Sequence, residues 1–246
     1  MTGHAEIIEA VTRKLSLLAP LSGGDQRALA ALPLGIEQVP AHHHLVRQGK
    51  ETTRCCIIAE GYACRYKTAA EGGRQIVSFH MRGDILDLQH LLFPVADCNV
   101  QTVTRATVAC VSTRALKELV DARPAIRDAL WRDTLIDASI FREWVLNVGR
   151  RDAKSRIAHM LCEFAARGQA VGLGSAEGFE LPMTQEQIGD ATGLTSVHVN
   201  RTLRALREDG TIAQNGRQLI VRDWARLQMA AGFDRDYLHG AVVKAA

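Results

Sequence analysis

The residues best suited to chemistry lie between Met183 and Gly210. Ser196, Val197, Asn200, Arg201, Arg204 and Arg207 recur at helical spacing and share one face. Amide and guanidinium groups on such a face can bond base edges and phosphates. On the opposite face Val199, Leu203 and Leu206 fall at i, i+4 and i+7 and predict an inward stripe. Thr195 is placed to cap this helix and Gly210 to end it. A shorter helix should precede it: Thr184 and Gln187 have capping-box spacing, Ile188 and Ala191 are apolar, and Gly193 can turn in the left-handed region. Two helices joined by a glycine turn, the second with a basic outer face, suit the DNA major groove. They also fit an ordinary helical hairpin with a solvated basic surface.

The residues that follow favour DNA. Thr211–Gln214 and Arg217–Val221 read as strands around an Asn215-Gly216 turn, the strongest short hairpin signal. A hairpin in this place is a wing, with Arg217 and Arg222 on or near it. Residues 195–226 carry six arginines against Glu208, Asp209 and Asp223, a net +3 that equals the formal charge of all 246 residues. The nucleic-acid surface is therefore local.

Thr184–Arg201, with Leu203 and Leu206, resembles the winged helix-turn-helix of the CRP/FNR transcription regulators. The remaining elements are consistent with this resemblance. Residues 4–19 and 24–32 read as short helices. Residues 36–112 read as short strands with glycines at 49, 61, 72–73 and 83, a spacing typical of an antiparallel barrel or sandwich. This region resembles the β-roll of the cyclic-nucleotide-binding superfamily. A helix at 114–122 precedes a long one from Pro124 to about Val148, striped by Ile126, Ala129, Leu130, Ile136, Ile140, Trp144 and Val148 and interrupted at Asp133. In the family resembled, this helix forms the dimer seam, so Ile126, Ala129, Ile136, Ile140, Trp144 and Val148 are expected at an interface. The other side, with Leu135, Phe141 and Val145, is expected to pack on the chain's own β-roll. A hinge at 149–154 leads to a supporting helix with Ile157, Met160, Leu161, Phe164 and Ala165, then a glycine-rich connector at 168–178.

The expected fold class is α+β: an N-terminal antiparallel β-roll, a long dimerisation helix and a C-terminal winged helix-turn-helix. The expected boundaries are 1–122 for the sensor domain, 123–149 for the helix and hinge, 150–232 for the DNA-binding domain and 233–246 for a loosely held tail. The resemblance implies a bacterial regulator whose partners are double-stranded DNA, a second copy of the chain and RNA polymerase. Ser196, Val197, Asn200 and Arg201 would read bases, and Thr184, Arg204, Arg217 and Arg222 would meet phosphates.

The resemblance fails in the ligand region. Cyclic-nucleotide binders use a Gly-Glu turn and an Arg-Ser pair; here stand Gly83-Asp84 and, by alignment, Asn99-Val100. No arginine lies between Arg82 and Arg105, and Asp87 and Asp97 would repel a phosphate. Cyclic AMP control is not expected, and no motif names another effector. No cysteine precedes Cys55, which argues against the N-terminal iron–sulfur group of some FNR-type regulators. No cofactor is assigned, and a small-molecule effector of unknown identity stays open.

Other chemistry is thin. His42-His43-His44 could offer imidazoles, His42 and His44 being weak metal candidates, or could be an exposed turn entering a strand after Pro40. Gly35, His42, His44, Glu51 and Gly61 follow the order of a cupin-like metal barrel but not its gaps. The alternative function is therefore a β-barrel metalloprotein or metal sensor. The six cysteines lack zinc spacing and are expected as reduced thiols in the cytoplasm. No Walker, Gly-x-Ser-x-Gly or dinucleotide motif appears, so no enzyme is expected. No apolar run approaches the ~20 residues of a membrane span, and Glu6, Glu9, Arg13 and Lys14 argue against a signal peptide.

Overall fold

The computed structural model describes residues 3–175 and 178–240. In chain order the elements are α1 (His4–Ser16), α2 (Gly23–Ala30), β1 (Gly35–Val39), β2 (His44–Val46), β3 (Arg54–Glu60), β4 (Ala63–Thr68), β5 (Arg74–His80), β6 (Asn99–Thr102), β7 (Ala106–Ser112), α3 (Thr113–Ala122) and α4 (Pro124–Arg150). They continue with α5 (Ala153–Ala170), β8 (Gly178–Glu180), α6 (Gln185–Thr192), α7 (Ser196–Glu208), β9 (Ile212–Asn215), β10 (Gln218–Val221) and α8 (Trp224–Ala231). The described residues form two compact units: those of 1–67, Ser78–Ala138 and 239–240, and those of Thr68–Val77 with Ser139–Leu238. Among the described residues no helix is long and apolar enough to cross a membrane.

The first unit is built on antiparallel strands in the orders β1-β7-β3 and β2-β6-β4. Strand alternation sends successive β3 side chains to different cores. Cys56 and Ile58 join Val46, Leu86, Val100 and Val108 between the sheets. Cys55 and Ile57 join Val11, Leu15, Leu29, Leu116, Ile126 and Ala129 beneath the helices.

That second core reverses the expected faces of α4. Ile126, Ala129 and Leu130 are buried against the chain's own residues from α1, α2 and β3. Ile140 and Trp144 are buried too, while Ile136 and Val148 are half-buried. The exposed apolar residues are Trp131, Leu135, Phe141, Val145 and Leu146. The N-terminal helices cover Ile126, Ala129 and Leu130, the first part of the stripe expected to face a second copy. Asp133, which interrupts that stripe, has a partner in Lys14: its Nζ lies 2.9 Å from Asp133 and 2.9 Å from Asp84. Burial alone would lower the lysine pKa, but the two carboxylates outweigh it and hold it above the ordinary value.

Two further expectations change. Cys56 and Cys110 stand opposite one another in the β3–β7 register and are disulfide-bonded, so the cysteines are not all thiols. Cys55, Cys64, Cys98 and Cys162 are buried and outside the disulfide. The expected loose tail is packed at its start. The Phe233 ring meets His159 edge-on at 5.4 Å between centroids, and the Tyr237 hydroxyl donates to Glu163 at 2.9 Å.

Candidate nucleic-acid interface

The helix pair forms as its capping residues dictate. Thr184 Oγ1 accepts from Gln187 N at 3.2 Å, while Gln187 Oε1 accepts from Thr184 N at 2.9 Å. This capping box starts α6, and Gly193 ends it in the left-handed region (φ 66°). Gly189 is required for a different reason: a Cβ there would lie 2.5 Å from the Leu194 carbonyl oxygen, where the turn doubles back. Thr195 caps α7. Val199, Leu203 and Leu206 are buried as the stripe predicts, each of them worth about 1.5–3 kcal/mol of transfer free energy.

Ser196, Val197, Asn200, Arg201 and Arg204 are all exposed on α7. Val197 is 75% exposed, an apolar surface free for contact. Arg201 makes no hydrogen bond or ion pair among the described residues, so its five donors remain available. Asn200 is held: its Nδ2 donates to Gln185 Oε1 at 3.2 Å, tying the outer face of α7 to the start of α6. Arg204 pairs with Glu208 at 2.7 Å, an exposed i,i+4 pair of small energetic weight. His198 escaped the sequence reading; it is exposed, and its Nδ1 lies 2.9 Å from Thr195 Oγ1.

The wing is present, one residue out of the expected register. Asn215 pairs with Gln218, so the two turn residues are Gly216 and Arg217 instead of Asn215 and Gly216. Only Gly216 has positive φ (58°), which suits a turn with glycine first. Arg217 therefore occupies the exposed tip. Arg222 is exposed beyond β10, and β8 completes the sheet in the order β8-β10-β9. Arg207 is half-buried and donates to Gln214 Oε1 at 3.0 Å, joining α7 to the wing. Asp209 anchors the junction: Thr211 donates to it through Oγ1 at 2.6 Å and through N at 3.1 Å. The Thr211 bonds, supported by Lys154, lower its pKa to about 2.

Most of the other candidate residues are internally engaged. His42 is exposed in a turn, and the half-buried His44 bonds the Tyr66 hydroxyl at 2.8 Å. Among the described residues no three His, Cys, Asp or Glu side chains gather to hold a metal. In the region expected to hold a ligand, Asp84 is paired with Lys14, and Asp87 Oδ1 accepts from Cys56 N at 2.9 Å. Asn99 Oδ1 accepts from Gln48 N at 3.1 Å, and Val100 is a core residue. Arg65, which no sequence motif marks, approaches this region from β4. It is engaged too, donating to the Leu86 carbonyl at 2.7 Å and to Asp137 at 2.8 Å.

Comparison with known proteins agrees with this geometry. Residues 155–230 match the Crp-like helix-turn-helix domain, and residues 36–123 match the cyclic nucleotide-binding domain. The transcriptional activator protein FnrL of Cereibacter sphaeroides is 33% identical over 183 residues, 73% of each chain. The transcriptional activator protein anr of Pseudomonas aeruginosa is 26% identical over 188 residues, covering 76% of this chain and 77% of its own. Among solved structures, FixK2 from Bradyrhizobium japonicum superimposes with a TM-score of 0.76 at 25% identity, covering 82% of this chain and 100% of its own. Nothing in these similarities supports the metalloprotein alternative. With both of its domains matched and FnrL related across nearly three quarters of each chain, this protein belongs to the CRP/FNR family of transcription regulators.

Proposed function

We propose that this protein binds a palindromic promoter site as a homodimer, reading bases with α7 and touching the backbone with its wing. The observation that carries this reading is the two-sided character of α7. Val199, Leu203 and Leu206 are buried, while Ser196, Val197, Asn200 and Arg201 are exposed over the first half of the helix, the end that meets base edges. Thr184, Arg204, Arg217 and Arg222 are the phosphate contacts in this reading. Selection of bound DNA from a random pool tests it: a two-fold symmetric sequence should be enriched.

The second copy would dock on α4 through Trp131, Leu135, Phe141 and Val145, four of the five apolar residues left exposed there. Their spacings of four, six and four residues keep them on one side of the helix. Residues 1–122 would act as sensor or scaffold, 123–149 as the joining helix and 150–232 as the DNA-binding domain. RNA polymerase would be the downstream partner, in the cytoplasm. Cyclic AMP is not the effector in this reading. Support comes from the internal partners of Asp84, Asp87, Asn99 and Arg65.

A further inference from the structure

In the second unit α8 packs along α5, and Gly232 ends α8 in the left-handed region (φ 54°). The chain then turns back: Phe233 N donates to the Gln228 carbonyl at 3.0 Å, and the Phe233 ring reaches His159. The returning segment leaves a cleft of about 200 Å³ lined by Cys162, Ala166, Gln169, Trp224, Gln228, Phe233 and Arg235. Its apolar wall is formed by the indole of Trp224, the ring of Phe233, the Ala166 methyl and the buried Cys162 thiol. Burial pushes the Cys162 pKa up to about 12, so this sulfur presents an uncharged surface, not a nucleophile. Gln169, Gln228 and Arg235 are exposed and supply the polar rim. Among the described residues Arg235 is the only charged one in the lining. Its guanidinium has no hydrogen bond or ion pair among the described residues; Asp234 and Asp236 flank it in sequence but do not line the cleft.

We propose that this cleft binds a small planar aromatic carboxylate, with the ring against Trp224 and Phe233 and the carboxylate on Arg235. Size and charge both limit the ligand. A cavity of about 150 Å³ accommodates benzene, so this one has room for one compact ring system and a carboxyl group. It falls below the roughly 300–1,000 Å³ usual for drug-sized ligands, which favours a small one. The planar guanidinium fork matches a carboxylate bidentately, and among the described residues no acidic side chain lines the cleft to oppose it. The site is independent of the DNA-binding reading, and its test measures ligand binding directly.

Full-length protein titrated with indole-3-carboxylate, and separately with the uncharged indole-3-carboxamide, tests the assignment by calorimetry and thermal shift. The carboxylate should bind with a millimolar or tighter Kd and raise Tm, because a ligand selective for the folded state stabilises it. The carboxamide should bind at least about tenfold more weakly. Arg235→Gln should remove that preference, and Ala166→Leu, which fills the cleft, should abolish binding of both probes. Neither heat nor a Tm shift at about 10 mM carboxylate, equal affinity for the two probes, or undiminished carboxylate binding to Arg235→Gln would each overturn the proposal. Because Arg235 is exposed, its variant tests the site even if Ala166→Leu does not fold.

Discussion

Trp144 Nε1 lies 3.1 and 3.0 Å from the two carboxylate oxygens of Glu163, joining the C-terminal part of α4 to α5. Glu163 is 2% exposed and also accepts from the Tyr237 hydroxyl at 2.9 Å, with Arg167 3.5 Å away. Burial raises its pKa above the usual carboxylate range even though these donors oppose the shift. Tyr237→Phe removes one donor from a buried acceptor and should cost about 1–3 kcal/mol. Urea denaturation measures the loss; unchanged stability would mean that the C-terminal segment does not brace α5.

His159 should make the second unit acid-sensitive. Its ring is fully buried, stacked on Tyr237, and desolvation with the Arg151 charge lowers its pKa from 6.5 to about 3. The nearby Glu143 offers little compensation because Arg151 already pairs with it at 2.5 Å. Since the folded pKa lies below the unfolded one, the unfolded state takes up the proton first. The stabilisation is complete above pH 6.5 and is lost as pH falls toward about 3. His159→Phe should flatten the fall in Tm across this window; superimposable pH profiles would contradict the assignment.

The faces of α4 give a paired test. Leu135→Asp with Val145→Asp places charge on exposed positions and should yield folded monomers. Ile126→Asp should unfold the first unit instead, because it buries an unpaired charge in the core. Sedimentation and circular dichroism separate the outcomes. A double variant that still sediments as a dimer would exclude this face.

Cyclic AMP at about 1 mM should leave Tm unchanged, because Arg65 is already committed to Asp137 and the Leu86 carbonyl. A clear rise in Tm would show that this ion pair yields to the ligand.

Local signals were readable in the sequence, whereas pairings between distant residues were not. The Thr184–Gln187 box, Gly193 and the Val199, Leu203 and Leu206 stripe specify α6 and α7 through contacts within a few residues. The Asn-Gly pair marks the wing, but its turn preference alone sets the register one residue away from the Asn215–Gln218 pairing. The apolar periodicity of α4 identified a helix with buried residues. It could not reveal that α1 and α2 cover Ile126 and Ala129, leaving Leu135 and Val145 outside. Lys14 with Asp133, Arg65 with Asp137 and Tyr237 with Glu163 are separated by 119, 72 and 74 residues, so only the fold brings them together.

The central claim is that α7 reads bases, and binding selection with wild-type protein and Arg201→Ala tests it most directly. Wild type should enrich two half-sites centred ~34–36 Å apart. Arg201→Ala should lose discrimination at one base pair per half-site, about 1–3 kcal/mol, if its guanidinium bonds guanine O6 and N7. Arg217→Ala, at the wing tip, serves as the control: it should weaken all sequences alike and lower the salt slope by about one unit. Uniform weakening by Arg201→Ala, with the selected sequence unchanged, would contradict the orientation assigned to α7.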